Sequence, residues 1–216
     1  MLRTESQRTR DLLTFPLRAF MPFKKGADRW GLSSRETERF DYVAREVRGY
    51  CLDVGCGRHN RFIDEFLGGN GRGIDVYHYE GLTDEHVVED ITQFPFEDGT
   101  FETVTFIANI CHVPEDQRDT ELAEAYRVLA PGGNIVVTMG HPLAEFLVHR
   151  VVWVQGKLLG SGYDMDTERG MEDGESEYIP DTEIVERVAR AGFRGIEKKH
   201  FLTQWGLNHL FVGWKR

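Results

Sequence analysis

Two periods of apolar and polar positions run through this chain. Short apolar runs bounded by turn residues predict strands at Cys51–Val54 and at residues 73–76, 86–91, 103–110 and 135–139. Two closing strands follow at 195–201 and 210–215. Between them, apolar residues recur at helical spacing. Phe40, Val43, Ala44 and Val47 mark a helix from residue 33 or 34 to about 48. Residues 61–67 have the same spacing. Leu122, Ala125, Tyr126 and Leu129 mark a third helix over 116–129, and Ile184, Val185 and Val188 a fourth over 181–191. Ser33 or Ser34, and Asp181 or Thr182, suit the N-cap positions, while Gly49 and Gly192 suit the ends. Strands alternating with helices predict a doubly wound α/β sheet.

The stretch from Leu52 through Asp53, Val54, Gly55, Cys56, Gly57, Arg58 and His59 to Asn60 joins the first strand to a helix. Strand, Gly-x-Gly turn and helix form the nucleotide-binding corner of such folds. Glycine tolerates a positive φ there and lets a ligand approach the backbone. A dinucleotide site asks for a third glycine where Asn60 stands, a residue that suits an N-cap instead. Asp53, just before the glycines, would repel a pyrophosphate. It suits a cofactor carrying an amine and a sulfonium cation. Asp75 lies 22 residues after Asp53, at the end of the next strand. An acid at that spacing accepts hydrogen bonds from ribose hydroxyls.

Length and charge narrow the reading. At 216 residues the chain can bury one good core, and no second domain or internal repeat is evident. No apolar run approaches the roughly 18 residues of a membrane span. Cys51, Cys56 and Cys111 have neither disulfide-framework nor zinc spacing, so reduced thiols and a cytoplasmic setting are expected, with no metal required. The net charge of −10 argues against a nucleic acid held by the global field. Residues 1–29 are locally basic, with Arg3, Arg8, Arg10, Arg18, Lys24, Lys25 and Arg29.

Asp53-x-Gly55-x-Gly57 resembles the first motif of the class I S-adenosylmethionine-dependent methyltransferases, of the small-molecule, methyltransferase-domain-11-like type. His59 stands where that family often has a third glycine. The run Phe94-Pro95-Phe96-Glu97-Asp98-Gly99-Thr100-Phe101-Glu102 matches the family's acidic-Gly turn before a strand, with Glu102 in place of the usual Asp. Arg127-Val128-Leu129-Ala130-Pro131-Gly132-Gly133 before a hydrophobic strand is also typical of it. The resemblance covers residues 35–139 well and 181–215 in outline.

The resemblance implies a seven-stranded, mostly parallel Rossmann-like sheet of order 3-2-1-4-5-7-6 with the last strand antiparallel. It implies S-adenosylmethionine as cofactor and methyl transfer by direct displacement. Its implied cofactor residues are Asp53, Gly55, Cys56, Gly57, Asp75, Val76, Asp90, Ile91 and Asn109, with Glu89 an alternative to Asp90 as the acid near adenine. His112 follows the fourth strand, where ligands sit beyond strand ends. It is a candidate general base, with a structural role the equal alternative.

The expected layout is a single methyltransferase domain over 1–216. A basic and apolar arm (1–32) precedes a cofactor-binding core (33–139), an insertion building the acceptor pocket (140–180), and the closing helix and strands (181–216). Pro16 and Pro22 are expected to break any long helix in the arm. The arm is expected to pack on the domain, with a lid or a surface for lipid-like substrate as the functional alternative. His141, Trp153 and Tyr163 are the candidate acceptor-lining residues. The acceptor is expected to be small or lipophilic. An RNA or protein methyltransferase docking through the arm, and a non-catalytic methyltransferase-like subunit, are the rivals. The oligomeric state stays open.

Overall fold

The structure is a computed structural model, and it describes residues 2–20, 31–140 and 178–216. Helix α1 (Glu5–Phe20) and helix α2 (Arg35–Ala44) precede strand β1 (Cys51–Val54). Then come β2 (Gly71–Ile74), β3 (Phe101–Ile107), α3 (Arg118–Val128), β4 (Leu129–Gly140), α4 (Asp181–Arg190), β5 (Arg194–His200) and β6 (Asn208–Trp214). The strands form a six-stranded sheet of order β2-β1-β3-β4-β6-β5. β1 pairs parallel with β2 and β3, and β3 with β4, while β6 runs antiparallel to both β4 and β5.

That order is the expected one without its third strand. Residues 86–91 do not form a strand. Asp84–His86 is a 3-10 turn, and Asp75 and Val87 are joined by an isolated parallel bridge. The capping box of Thr83 and His86 fixes that turn, which leaves only Val87 aligned with the edge of the sheet. The chain still passes β2 on the expected side, so the residues after it reach the sheet's C-terminal edge.

The sheet's period of two sorts its apolar side chains onto two faces. Leu52, Val54, Ile135, Val137 and Phe211 belong to the cluster that includes Leu122, Ala125 and Val128 of α3 and Ile184 and Val188 of α4. Cys51, Val136, Leu210 and Val212 belong to the opposite cluster, with Phe40 and Val43 of α2 and Phe62 and Ile63. Asp53 shares the Cys51 face. It is tolerated there because Thr105, its register partner on β3, donates a hydrogen bond to its Oδ1 at 2.7 Å.

Several element bounds differ from the sequence reading. α2 stops at Ala44, well before residue 48; Ser34 caps it, its Oγ accepting from the Thr37 amide at 3.0 Å. The segment after the glycine corner is a 3-10 turn (Arg58–Asn60) followed by a single π-type turn (Phe62–Phe66). Asn60 is therefore no N-cap; it lies within the turn at φ 46. β3 ends at Ile107, and a 3-10 turn over Ile110–His112 follows. Asp181 does not cap α4; Pro180 stands at the cap, and Asp181 Oδ1 lies 2.8 Å from His209 Nε2.

The arm departs furthest from expectation. Pro16 lies inside α1, a 16-residue helix, instead of breaking it. Proline removes the donor that would bond the Leu12 carbonyl. The Trp205 indole N–H supplies a replacement at 3.0 Å. A buried ionic cluster holds the helix down. Arg3 donates to Asp11 and Glu38, and Arg18 to Glu38 and to the carbonyls of Asp11 and Ser33. These side chains are at most 3% exposed. Such charges are tolerable only because each is paired.

Candidate functional site

The turn after β1 is built by backbone contacts to β2. The amides of Gly55 and Cys56 both donate to the Ile74 carbonyl, at 2.8 and 3.1 Å. Gly55 and Gly57 both have positive φ, 73° and 64°. They need glycine for different reasons. A Cβ on Gly55 would fall within 2.3 Å of the Asn109 side chain, whereas one on Gly57 would meet nothing within 4 Å. Gly57 therefore presents open backbone. His59 also has positive φ, 62°, so histidine holds the left-handed conformation that glycine adopts more readily. Its amide donates to the Glu80 carbonyl at 2.9 Å, and its ring lies against Gly81.

One cavity of about 970 Å³ opens at this corner. Asp53, Gly55, Cys56 and Gly57 line it from β1 and its turn. Asp75, Val76, Asp90 and Ile91 line it from beyond β2. Asn109 and His112 line it from beyond β3. The structure thus brings the sequence-derived cofactor residues and the candidate base around one space, with Glu89 also on its wall. His141, Trp153 and Tyr163 lie outside the described residues.

The acids of this cavity differ in state. Asp75 Oδ2 accepts from the Gly57 amide at 2.9 Å and Oδ1 from the Tyr77 amide at 3.1 Å. Burial raises its pKa from the ordinary value, against the lowering effect of those backbone donors. Burial pushes Asp53 further, to about 7; the Thr105 hydroxyl pulls it down and the Asp75 charge pushes it up. Asp90 is exposed, and Thr92 holds its pKa down by donating to Oδ1 from its amide and its hydroxyl. Burial raises the Cys56 thiol, which keeps it protonated and inert.

The backbone beyond β3 is strained where it meets the cavity. Ala108 has φ 53, and its amide donates to Thr138 Oγ1 at 2.9 Å. This turn sets Asn109 against Gly55. The His112 amide then donates to the Asn109 carbonyl at 2.7 Å.

Sequence reasoning missed part of the wall. Glu36, Arg39 and Phe40 come from α2, Tyr77 and Tyr79 from the loop after β2, and Gln117 and Glu121 from the α3 side. The two tyrosines follow a strand end directly, which is a signal that could have been read. Phe40 reads only as an apolar helix position, and the polar residues of α2 and the α3 side carry no local signal.

Known proteins resemble this chain in sequence and in fold. A family model described as a methyltransferase domain matches residues 52–137. The chain is similar to sterol 24-C-methyltransferase of Saccharomyces cerevisiae, 32% identical over 134 residues, covering 55% of this chain and 34% of that protein. It is also similar to the ubiquinone/menaquinone biosynthesis C-methyltransferase of Brucella anthropi, 26% identical over 147 residues, covering 63% of this chain and 53% of that one. The chain thus spans between about a third and half of the length of these relatives. Among solved structures, its fold is similar to 1,6-didemethyltoxoflavin-N1-methyltransferase of Burkholderia thailandensis, solved with 1,6-didemethyltoxoflavin and S-adenosylhomocysteine. The TM-score is 0.56 at 15% identity, over 100% of this chain and 92% of that one. A TehB-like S-adenosylmethionine-dependent methyltransferase of Corynebacterium glutamicum gives 0.56 at 16% identity, over 98% and 96%. Residues 52–137 thus match a methyltransferase domain, and the chain shares its fold with these solved methyltransferases.

Proposed function

We propose that this chain transfers a methyl group from S-adenosylmethionine to a small or lipophilic acceptor. The observation that carries the reading is the meeting of Asp53, Asp75, Asp90 and the open face of Gly57 in one cavity. Three carboxyls beside a glycine turn suit a hydroxyl-rich, cationic ligand and oppose a pyrophosphate. When bound, the cofactor supplies a methyl group on positively charged sulfur.

The chain's own residues have separable roles. Asp75 is oriented by two backbone amides, and its remaining lone pairs accept from ribose hydroxyls. Asp53 places a buried carboxyl toward the cofactor's cationic end. Asp90 accepts from the adenine amino group, with Ile91 beside the ring. Asn109 meets the methionyl part. His112 takes the acceptor's proton where the acceptor must lose one. Because the donor arrives activated, holding the reactants in line can supply on the order of 7–11 kcal/mol.

The acceptor class rests on the relatives and on the arm. The two curated relatives are named as C-methyltransferases for a sterol and for ubiquinone/menaquinone biosynthesis. Arg3 and Arg18 of the arm are buried in ion pairs and do not offer their charge to an RNA. Transfer of labelled methyl from S-adenosylmethionine to a panel of sterols, quinols and small heteroaromatics, beside RNA and protein, tests the class. Label in the small molecules supports it; label in RNA or protein alone contradicts it.

A further inference from the structure

Glu121 lies one turn into α3 and lines the same cavity as Asp53, Asp75 and His112. Its side chain is fully buried, and neither Oε1 nor Oε2 has a hydrogen-bond partner among the described residues. The neighbouring cations serve other groups. Arg118 Nε donates to the Val113 carbonyl at 2.9 Å, and its Nη1 lies 3.5 Å from Glu183. Arg187 pairs with Asp119 and Glu183. A buried carboxyl without a donor costs stability, and such groups persist where function needs them. Burial also raises its pKa to about 8, which keeps it mostly neutral near pH 7.

We propose that Glu121 is a specificity-determining residue whose carboxyl receives an O–H or N–H group of the methyl acceptor. The inference rests on the methyltransferase reading above. On that reading the cofactor's hydroxyls and amines are met by Asp53, Asp75 and Asp90, so the donor that satisfies Glu121 arrives with the acceptor. The acceptor is then an apolar body carrying one hydroxyl or amine. A site built around a buried acceptor group rejects an analogue lacking the donor more strongly than an apolar pocket rejects a changed methylene.

The test uses the full chain saturated with S-adenosylhomocysteine and three probes of one apolar body. These are 2-naphthol, 2-naphthylmethylamine and 2-ethylnaphthalene, with affinities read by calorimetry. The wild type is expected to favour the hydroxyl or the amine over the ethyl compound by about tenfold or more, and the stronger of the two names the donor. Glu121→Met should lose that preference while binding S-adenosylhomocysteine as the wild type does. Glu121→Gln, which keeps one acceptor oxygen, should show an intermediate preference and serves if the Met variant does not fold. Equal affinities in the wild type, no binding of any probe, or a preference that survives in Glu121→Met overturns the inference. Failure of the wild type to bind S-adenosylhomocysteine at all overturns the cofactor reading instead.

Discussion

The backbone N–H of Gly57 donates to Oδ2 of Asp75 at 2.9 Å, so the glycine turn and the acid after the second strand are held as one unit. Asp75→Ala removes both the anchor of the turn and the acceptor for ribose. The variant should bind S-adenosylhomocysteine at least tenfold more weakly, since hydrogen bonds to a charged group contribute about 1.5–3 kcal/mol. Calorimetric titration at fixed salt reads this directly. Unchanged affinity would remove Asp75 from the cofactor site.

The two glycines of the corner should respond differently to the same substitution. Gly55→Ala places a methyl group on Asn109 and forces positive φ on alanine, so it should destabilise the fold by about 2 kcal/mol or more. Gly57 holds φ 64 and ψ −164, a region essentially reserved for glycine, so Gly57→Ala costs about 1–3 kcal/mol of backbone strain while meeting no neighbour. It should instead weaken cofactor binding, because the new methyl group stands in the open space. Urea unfolding beside cofactor titration separates the two effects.

Asp53 gives a pH dependence of known sign. Its folded pKa of about 7 lies above the ordinary aspartate value that holds in the unfolded chain. The folded state therefore binds more protons between roughly pH 4 and pH 7, so this group lowers stability progressively as pH rises through that window. Above it the cost is constant. Asp53→Asn should abolish that loss, and at pH 8 should raise the stability of the cofactor-free protein by on the order of 2–4 kcal/mol. Binding of the sulfonium cofactor should strengthen as pH rises through 7 in the wild type but not in the variant. Denaturation midpoints and affinities measured from pH 5 to pH 8.5 check both slopes.

Arg18 is the hub that fastens α1. It donates to Glu38 and to the carbonyls of Asp11, Ser33 and Thr203. Arg18→Met leaves Glu38 with less compensation and should cost about 3–5 kcal/mol. Limited proteolysis should then cut first within residues 2–20. Loss of overall stability without early cleavage in the arm would show that the cluster does not specifically hold α1.

What could be read from the chain beforehand was what is local. The corner from Asp53 to Gly57 is a strand end and a turn, and its conformation follows from glycine chemistry within a few residues. The acid at Asp75 follows from its spacing after Asp53, whereas Asp90, with Glu89 as its alternative, comes only with the family resemblance. Pairing and burial depend on distant partners and were less legible. Val87 and Val88 look like a strand, yet the turn at Asp84–His86 leaves one bridge. Pro16 looks like a helix breaker, yet Trp205 satisfies the carbonyl it strands. Glu121 sits one position from Leu122 on an amphipathic helix, where a charged residue ordinarily faces water; only the tertiary structure shows it fully buried.

The central claim is that the cavity at the glycine corner holds S-adenosylmethionine. Calorimetric titration of the purified protein with S-adenosylmethionine and S-adenosylhomocysteine tests it most directly, with NAD as control and Asp75→Ala as the comparison. The expected result is micromolar binding of both sulfur cofactors, loss of that binding in the variant, and no heat from NAD. Absence of binding by either sulfur cofactor, or binding of NAD in their place, would contradict it.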